Sequence, residues 1–380
     1  MRIAISLHFL ITILWCYSVT HVRAVDAPKG VPVEPASQNK TGVHITSEIP
    51  HVSVTHHSPS HASPSQHSAV ALGDGWMKDS VMGNLTNFKY LHIPSPCMPN
   101  EPPIYLFVLV DSAPSHVGHR ERIRNTYGAE SLLPNGLRTR TIFMAGQVKD
   151  RKMQEKLDEE AQAFGDIIQG NFVDHYRNQS YGNLAALRWL YNTCPETKFI
   201  MKTDDDTFFD IFQLVDLLHL QLSPGERMLC VQISKHAPVI RDPAHRKWYM
   251  TKQEFPRDFY DPYCTWSSYF FKTSVARKLD QAARSMWEGI SINDIYISGT
   301  LPRKLSIPVV EMPLFKADES YWESWASKAS PGDSPPYVIA PFHAPSAVAR
   351  TLSLLFRRAA IMRAPPSATR TTQTQQIMGH

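Results

Sequence analysis

From residue 104 to 112 the chain reads IYLFVLVDS, a near-continuous apolar run rich in β-branched residues. A strand buried on both faces needs such a run, because neither face meets water. RTIFMAG (140–146), DIIQGNF (166–172) and KFIMKT (198–203) repeat the pattern. Between these runs the apolar period lengthens. GHRERIRNTYG (118–128) reads as a short basic helix. In KDRKMQEKLDEEAQAFGD, Met153, Leu157, Ala161 and Phe164 recur at helical spacing, and Gly165 stands where a C-terminal cap belongs. NLAALRWLYNTC (183–194) and IFQLVDLLHLQL (211–222) are two more helices. Strands that alternate with helices predict an α/β fold, a Rossmann-type and mainly parallel sheet flanked by helices.

Both ends of the chain break this rhythm. Residues 3–19 are apolar and free of acids and bases, and Val22-Arg23-Ala24 resembles a small-residue cleavage site. Residues 1–24 thus read as a signal peptide or a signal-anchor, and both send the rest into the secretory pathway. Residues 25–96 are rich in Ser, Pro, His and Thr without a sustained period, which predicts a disordered stem. Its histidines, among them His56 and His57, repeat no ligand spacing and read as a polar linker. Sequons begin at Asn39, Asn84 and Asn178. The compact domain is expected over 97–345, and the acid-free tail 346–380 reads as basic and partly disordered. A net charge of +4, from 39 basic and 35 acidic residues, is too balanced for a nucleic-acid binder. Of the five cysteines, Cys16 lies in the apolar segment. The other four suffice for two disulfides with three possible pairings.

The candidate chemistry sits at the end of KFIMKT, where Asp204, Asp205 and Asp206 follow one another. Ligands of α/β sheets bind beyond the carboxyl ends of the strands. Carboxylates two residues apart on extended chain point the same way, so Asp204 and Asp206 can share one hard cation while Asp205 turns elsewhere. Mn²⁺ or Mg²⁺ would take these oxygens and fill its sphere with water and substrate phosphates. The plain alternative is a solvated acidic turn or a helix cap ahead of Phe208.

Five blocks in order resemble the β1,3-galactosyltransferase family of Golgi glycosyltransferases: RERIRNTYG, FGDIIQGNFVDHYRNQSYGNLAALRWLYNTCPETKFIMKTDDD, RKWYM, FPRDFYDPYCTWSSYFF and INDIYISGTL. The resemblance covers roughly residues 97–315. It implies a GT-A fold and inverting transfer of a hexose, galactose or an N-acetylhexosamine, from a UDP-sugar. The acceptor would be a glycan on a glycoprotein or glycolipid, the linkage β1,3, and the place the Golgi membrane, reached through the N-terminal segment. It further implies Arg120, Arg124, Thr126, Lys202, Asp204 and Asp205 around the donor. Asp204 and Asp206 with His343 would hold Mn²⁺, and Asp294 would be the general base. Departures from the family stand at Asn293, Ser298 and Thr300, and at Trp266 and Ser268 where the family has glycines. They put donor and acceptor choice in doubt, and then activity itself. Thr300 replaces a family cysteine, which leaves Cys264 to pair with Cys230 or stay free. Two other classes remain open: an inactive relative that binds or chaperones glycans, and a metal-dependent phosphohydrolase. The latter needs ligands for a second metal, and no spaced His/Asp pair accompanies the triplet.

Overall fold

The computed structural model describes residues 81–129, 136–312 and 339–341. The apolar segment 3–19, most of the stem, the tail and His343 lie outside the described residues. No helix among the described residues is long and apolar enough to cross a membrane.

The apolar runs form the expected strands. β1 (Tyr90–His92) edges a sheet whose next members are β2 (Ile104–Asp111), β3 (Arg138–Gln147), β4 (Ile167–Val173) and β5 (Phe199–Asp204). They lie in the order β1-β4-β3-β2-β5; the last four are parallel and β1 is antiparallel to β4. The connections carry α1 (Val117–Arg124), α2 (Arg151–Phe164) and α3 (Gln179–Thr193). After β5 come β6 (Thr207–Phe209), α4 (Ile211–Leu222), β7 (Met228–Ser234), β8 (Tyr263–Lys272) and α5 (Thr273–Ser285). A wide π-type turn of helix, Asp294–Thr300, runs into α6 (Leu301–Lys304), followed by β9 (Val309–Glu311) and β10 (Ile339–Pro341). The large sheet continues β5-β8-β7-β9, with β8 antiparallel to both neighbours. The sheet is therefore mainly parallel, as expected, with an antiparallel strand in its second half.

Each residue of β2 is buried because both faces of the sheet are covered. Phe107 and Leu109 join the cluster built on Leu184 and Leu187 of α3 and Leu279 of α5. Leu106, Val108 and Val110 join the opposite cluster with Ile123, Leu157 and Leu218. Burial of one such side chain contributes roughly 1.5–3 kcal/mol, and the two faces together fix the register. The Asp150 carboxylate caps α2 by accepting from the Met153 amide at 2.8 Å. Gly165 ends that helix in the left-handed region at φ 63°, where a side chain would be strained.

The folded part reaches further back than the expected boundary at 97. Met82 and Phe88 are core residues, and Tyr90 pairs with Gly170. The apolar positions here are too few and too short for a visible period, so the stem composition hid them. Two disulfides form, Cys97–Cys194 and Cys230–Cys264. The first ties the entry to β2 to the end of α3, and the second crosslinks β7 and β8.

Candidate active site

Parallel pairing of β2 with β5 sets Asp111 opposite Asp204, so two carboxylates meet at the carboxyl end of the sheet. Lys202, two residues before Asp204, is only 3% exposed. Its ammonium donates to Asp204 Oδ1 at 2.7 Å and lies 3.0 Å from Asp111 Oδ2 and 3.7 Å from Asp294 Oδ1. Asn183 of α3 donates to both oxygens of Asp111, at 3.0 and 3.2 Å. Three carboxylates thus surround one buried cation. Burial pushes Asp111 up to about 7, against the pull of Lys202. Burial also raises Asp294; Lys202 opposes this and the charge on Asp204 adds to it. Burial alone would depress Lys202, but Asp204, Asp111 and Asp294 hold it well above the usual lysine range.

Asp294 begins the π-type segment. Its Oδ1 is buried without a hydrogen bond, while 29% of the side chain is exposed, so Oδ2 is the oxygen open to solvent. It opens into a cavity of about 280 Å³ that is also lined by Lys202, Asp204, Tyr176, Lys247, Trp248, Tyr260 and Thr265. A second cavity of about 260 Å³ lies at the carboxyl ends of β2 and β3. Asp111, Ser112, Gly146, Asp174, His175 and Lys247 are on its wall. Gly146 is needed there, because a Cβ would stand 2.7 Å from the Asp174 backbone. Tyr176, Gln179 and Lys247 line both cavities. Burial, with the nearby Asp294 charge, pushes the Tyr176 phenol up to about 12, so it stays a neutral hydrogen-bond donor.

The triplet divides its work. Asp204 turns to Lys202 and the first cavity. Asp205 turns the other way, where its carboxylate accepts from Ser112 Oγ at 2.7 Å and meets His116 and His119. Thr207 Oγ1 donates to Asp206 Oδ1 at 3.4 Å. β10 pairs with β6 beside the triplet, Pro341 opposite Thr207. His343, two residues further on, lies outside the described residues.

Arg120, Arg124 and Thr126, expected around the donor, make contacts within the protein. Arg120 is buried; it grips Glu160 at 2.8 and 2.6 Å and donates to Ser112 Oγ and to the carbonyls of Ala113 and Pro114. Arg124 donates to both oxygens of Asp166 and to Glu160. Thr126 Oγ1 donates back to the Arg122 carbonyl. Arg120 thereby shapes the loop between β2 and α1, and residues of that loop, Ser112 and Ala113, border the second cavity.

The departures resolve in part. Ser268 is fully buried and shares a 2.8 Å hydrogen bond with Thr203, so it crosslinks β8 to β5 beneath the triplet instead of entering the cavity floor. Ser298 Oγ donates to the Asp294 carbonyl at 2.6 Å and accepts from the Cys264 amide at 2.9 Å, which fixes the segment that carries Asp294. Asn293 is buried with neither side-chain atom hydrogen-bonded. The Trp266 side chain is outside what the structure describes.

Asp111, Asp174, Tyr176, Asn183, Lys247 and the two histidines went unread in the sequence. Asp111 carried a signal as an acid that ends an apolar strand beside the strand of the triplet, and Asp174, Tyr176, Asn183 and Lys247 lie in two of the family-like blocks.

A Galactosyltransferase family model matches residues 118–313, which include the triplet, the lining of the first cavity and Asp294, while Asp111 and Ser112 of the second cavity precede the match. The chain belongs to the galactosyltransferase family. Among its relatives, beta-1,3-galactosyltransferase 5 of Homo sapiens is 31% identical over 223 residues, covering 59% of this chain and 70% of that protein. Beta-1,3-galactosyltransferase 1 of Mus musculus is 30% identical over 253 residues, 64% of this chain and 74% of that protein. The solved apo structure of the WbbM bifunctional glycosyltransferase aligns over 70% of this chain and 46% of that one, at 10% identity and a TM-score of 0.29.

Proposed function

We propose that this glycosyltransferase transfers galactose from UDP-galactose to a hydroxyl of a glycan, with inversion and in β1,3 linkage, and depends on Mn²⁺ (or Mg²⁺). The observation that carries the reading is the set Asp111, Asp204 and Asp294 around one buried lysine at the mouth of a cavity. Three carboxylates and one ammonium leave a local excess of negative charge, which suits a cation and the diphosphate it would carry. Asp204, whose Oδ1 accepts from Lys202, and Asp206 would hold the ion through carboxylate oxygens of the hard kind that Mn²⁺ and Mg²⁺ take. Such an ion, when bound, stabilises negative charge on a departing diphosphate. His343 is proposed as a further ligand because its chain arrives beside Thr207 through β10.

The protein's own residues do the rest. The loop held by Arg120 and Gly146 border the cavity proposed for the nucleotide. Lys247, shared by both cavities, is placed to meet phosphate. Asp294 Oδ2 faces the first cavity and takes the proton of the acceptor hydroxyl. Burial raises its affinity for protons, which makes it a stronger base, and the Lys202 charge opposes that rise. The neutral Tyr176 hydroxyl orients sugar oxygens. The apolar segment 3–19 is proposed to tether the enzyme in the Golgi membrane.

The test of the ligand site is thermal melting. UDP should raise the melting temperature only when Mn²⁺ is present, because ligand and metal bind the folded state together. Asp206→Ala should lose that shift while melting as wild type without ligand. A UDP shift that needs no metal, or one retained in the variant, would reject the metal assignment. A screen of UDP-galactose against UDP-N-acetylhexosamines, read as UDP release with acceptor, would fix the donor.

A further inference from the structure

The loop after β2 and the first turn of α1 carry His116 and His119. Three-residue spacing at the start of a helix sets both rings on one face, and they stack with centroids 4.7 Å apart. Both point Nδ1 at the Asp205 carboxylate, His116 at 2.8 Å from Oδ2 and His119 at 3.2 Å from Oδ1. One ligating atom from each of the three residues lies within 4.8 Å of the others. We propose that His116, His119 and Asp205 form a transition-metal site of the Zn²⁺ class, distinct from the all-oxygen pair Asp204 and Asp206.

The donor set decides the class of ion. Two imidazole nitrogens and one carboxylate suit Zn²⁺ and Co²⁺, whereas Mg²⁺ and Ca²⁺ take oxygen. Zinc binds imidazole nitrogen and carboxylate oxygen at about 2.0–2.1 Å, so tetrahedral ligand atoms sit about 3.4 Å apart. His116 and His119 approach different oxygens of Asp205, at 2.8 and 3.2 Å, and one ligating atom from each residue lies within 4.8 Å of the others, so small side-chain rotations bring the three to that spacing.

The carboxylate is prearranged for the task. Asp205 is 8% exposed, its Oδ2 accepts from Ser112 Oγ, and Arg120 donates to that same hydroxyl. The Asp205 amide donates to the Asp111 carbonyl at 3.2 Å. Such outer partners orient a ligating oxygen before the ion arrives. The imidazoles are 44% and 32% exposed, which gives an entry path and leaves a fourth position to water. A bound ion would tie the start of α1 to the end of β5, and so brace the loop that borders the nucleotide cavity.

The test is a Co²⁺ titration of the full chain, followed by visible absorption and by stoichiometry. The stem histidines provide a weak background common to all variants. The wild type should bind one more tight equivalent of Co²⁺, competed by Zn²⁺, than the double variant His116→Ala/His119→Ala. Zn²⁺ should raise the melting temperature of the wild type and not of the double variant. Asp206→Ala should keep the equivalent, which separates this site from the one proposed for Mn²⁺. If the double variant melts early in metal-free buffer, the exposed substitution His116→Gln alone should show the same loss. Identical stoichiometry and spectra in wild type and histidine variants would overturn the proposal and leave a hydrogen-bonded cluster only.

Discussion

Lys202 shows how a single side chain holds the site in place. Its ammonium is the nearest positive charge to Asp111, Asp204 and Asp294. Lys202→Met would keep the length and apolar stem but leave three carboxylates facing one another. Loss of one partner of a buried ion pair costs about 3–5 kcal/mol, and denaturant melts should show a loss of that size. A variant as stable as wild type would mean that the carboxylates are already protonated. Asp111 makes a pH-dependent prediction. Burial raises it to about 7, so the folded state holds its proton more tightly than the unfolded chain does. Its contribution to stability is fully present below about pH 4 and is lost as pH rises through about 7. Asp111→Asn should flatten the fall in stability between these limits, and an unchanged slope would assign the effect to another group. At this scale the sequence was only partly legible. Three adjacent aspartates announce a site, and Asp204 and Asp294 do open into one cavity. Asp111 and Asn183 join through register and helix packing, which no local pattern reports. Arg120 matched a family block, but only its hydrogen bonds reveal that it serves a loop.

Among the elements, legibility followed the strength of the period. β2, β3, β4 and β5 were plain because both faces of the sheet are buried, which forces unbroken apolar runs. α2 was plain through its apolar spacing and its terminal glycine. β7 and β8 went unread. In β8, Tyr263–Lys272, aromatics alternate with Thr and Ser in a stretch whose richness in aromatics masked the strand. β1 is three residues long, too short for any period. The link between α1 and α2 is also a matter of elements. Glu160 of α2 receives Arg120 and Arg124 of α1, and all three are largely buried. Glu160→Ala would leave the buried Arg120 guanidinium without a carboxylate, while Arg124 keeps Asp166, and a loss of about 3–5 kcal/mol is expected. Glu160→Gln keeps one acceptor and should cost less. Equal losses in the two variants would mean that packing, not charge, joins the helices.

For the molecule as a whole, the α/β class and the two-disulfide count were readable from composition and rhythm, while the pairing needed the fold. Cys97–Cys194 closes a loop of 97 residues. Chain-entropy reasoning gives such a crosslink about 4–5 kcal/mol, with measured values commonly 2–5. Replacement of both cysteines by serine should lower stability within that range, and no loss would point to residual structure in the unfolded chain. The family resemblance carried the reading from fold to chemistry, and the family match over residues 118–313 agrees with it. The central claim is that Asp294 is the base of a metal-dependent galactosyl transfer. The most direct measurement compares wild type with Asp294→Asn in two assays on the same preparations, galactose transfer from UDP-galactose and the Mn²⁺-dependent melting shift with UDP. The account predicts an unchanged shift and a transfer rate lower by roughly two to four orders of magnitude, the usual share of general base catalysis. Wild-type transfer by Asp294→Asn would contradict it, as would a wild type that binds UDP with Mn²⁺ yet transfers no sugar to any acceptor.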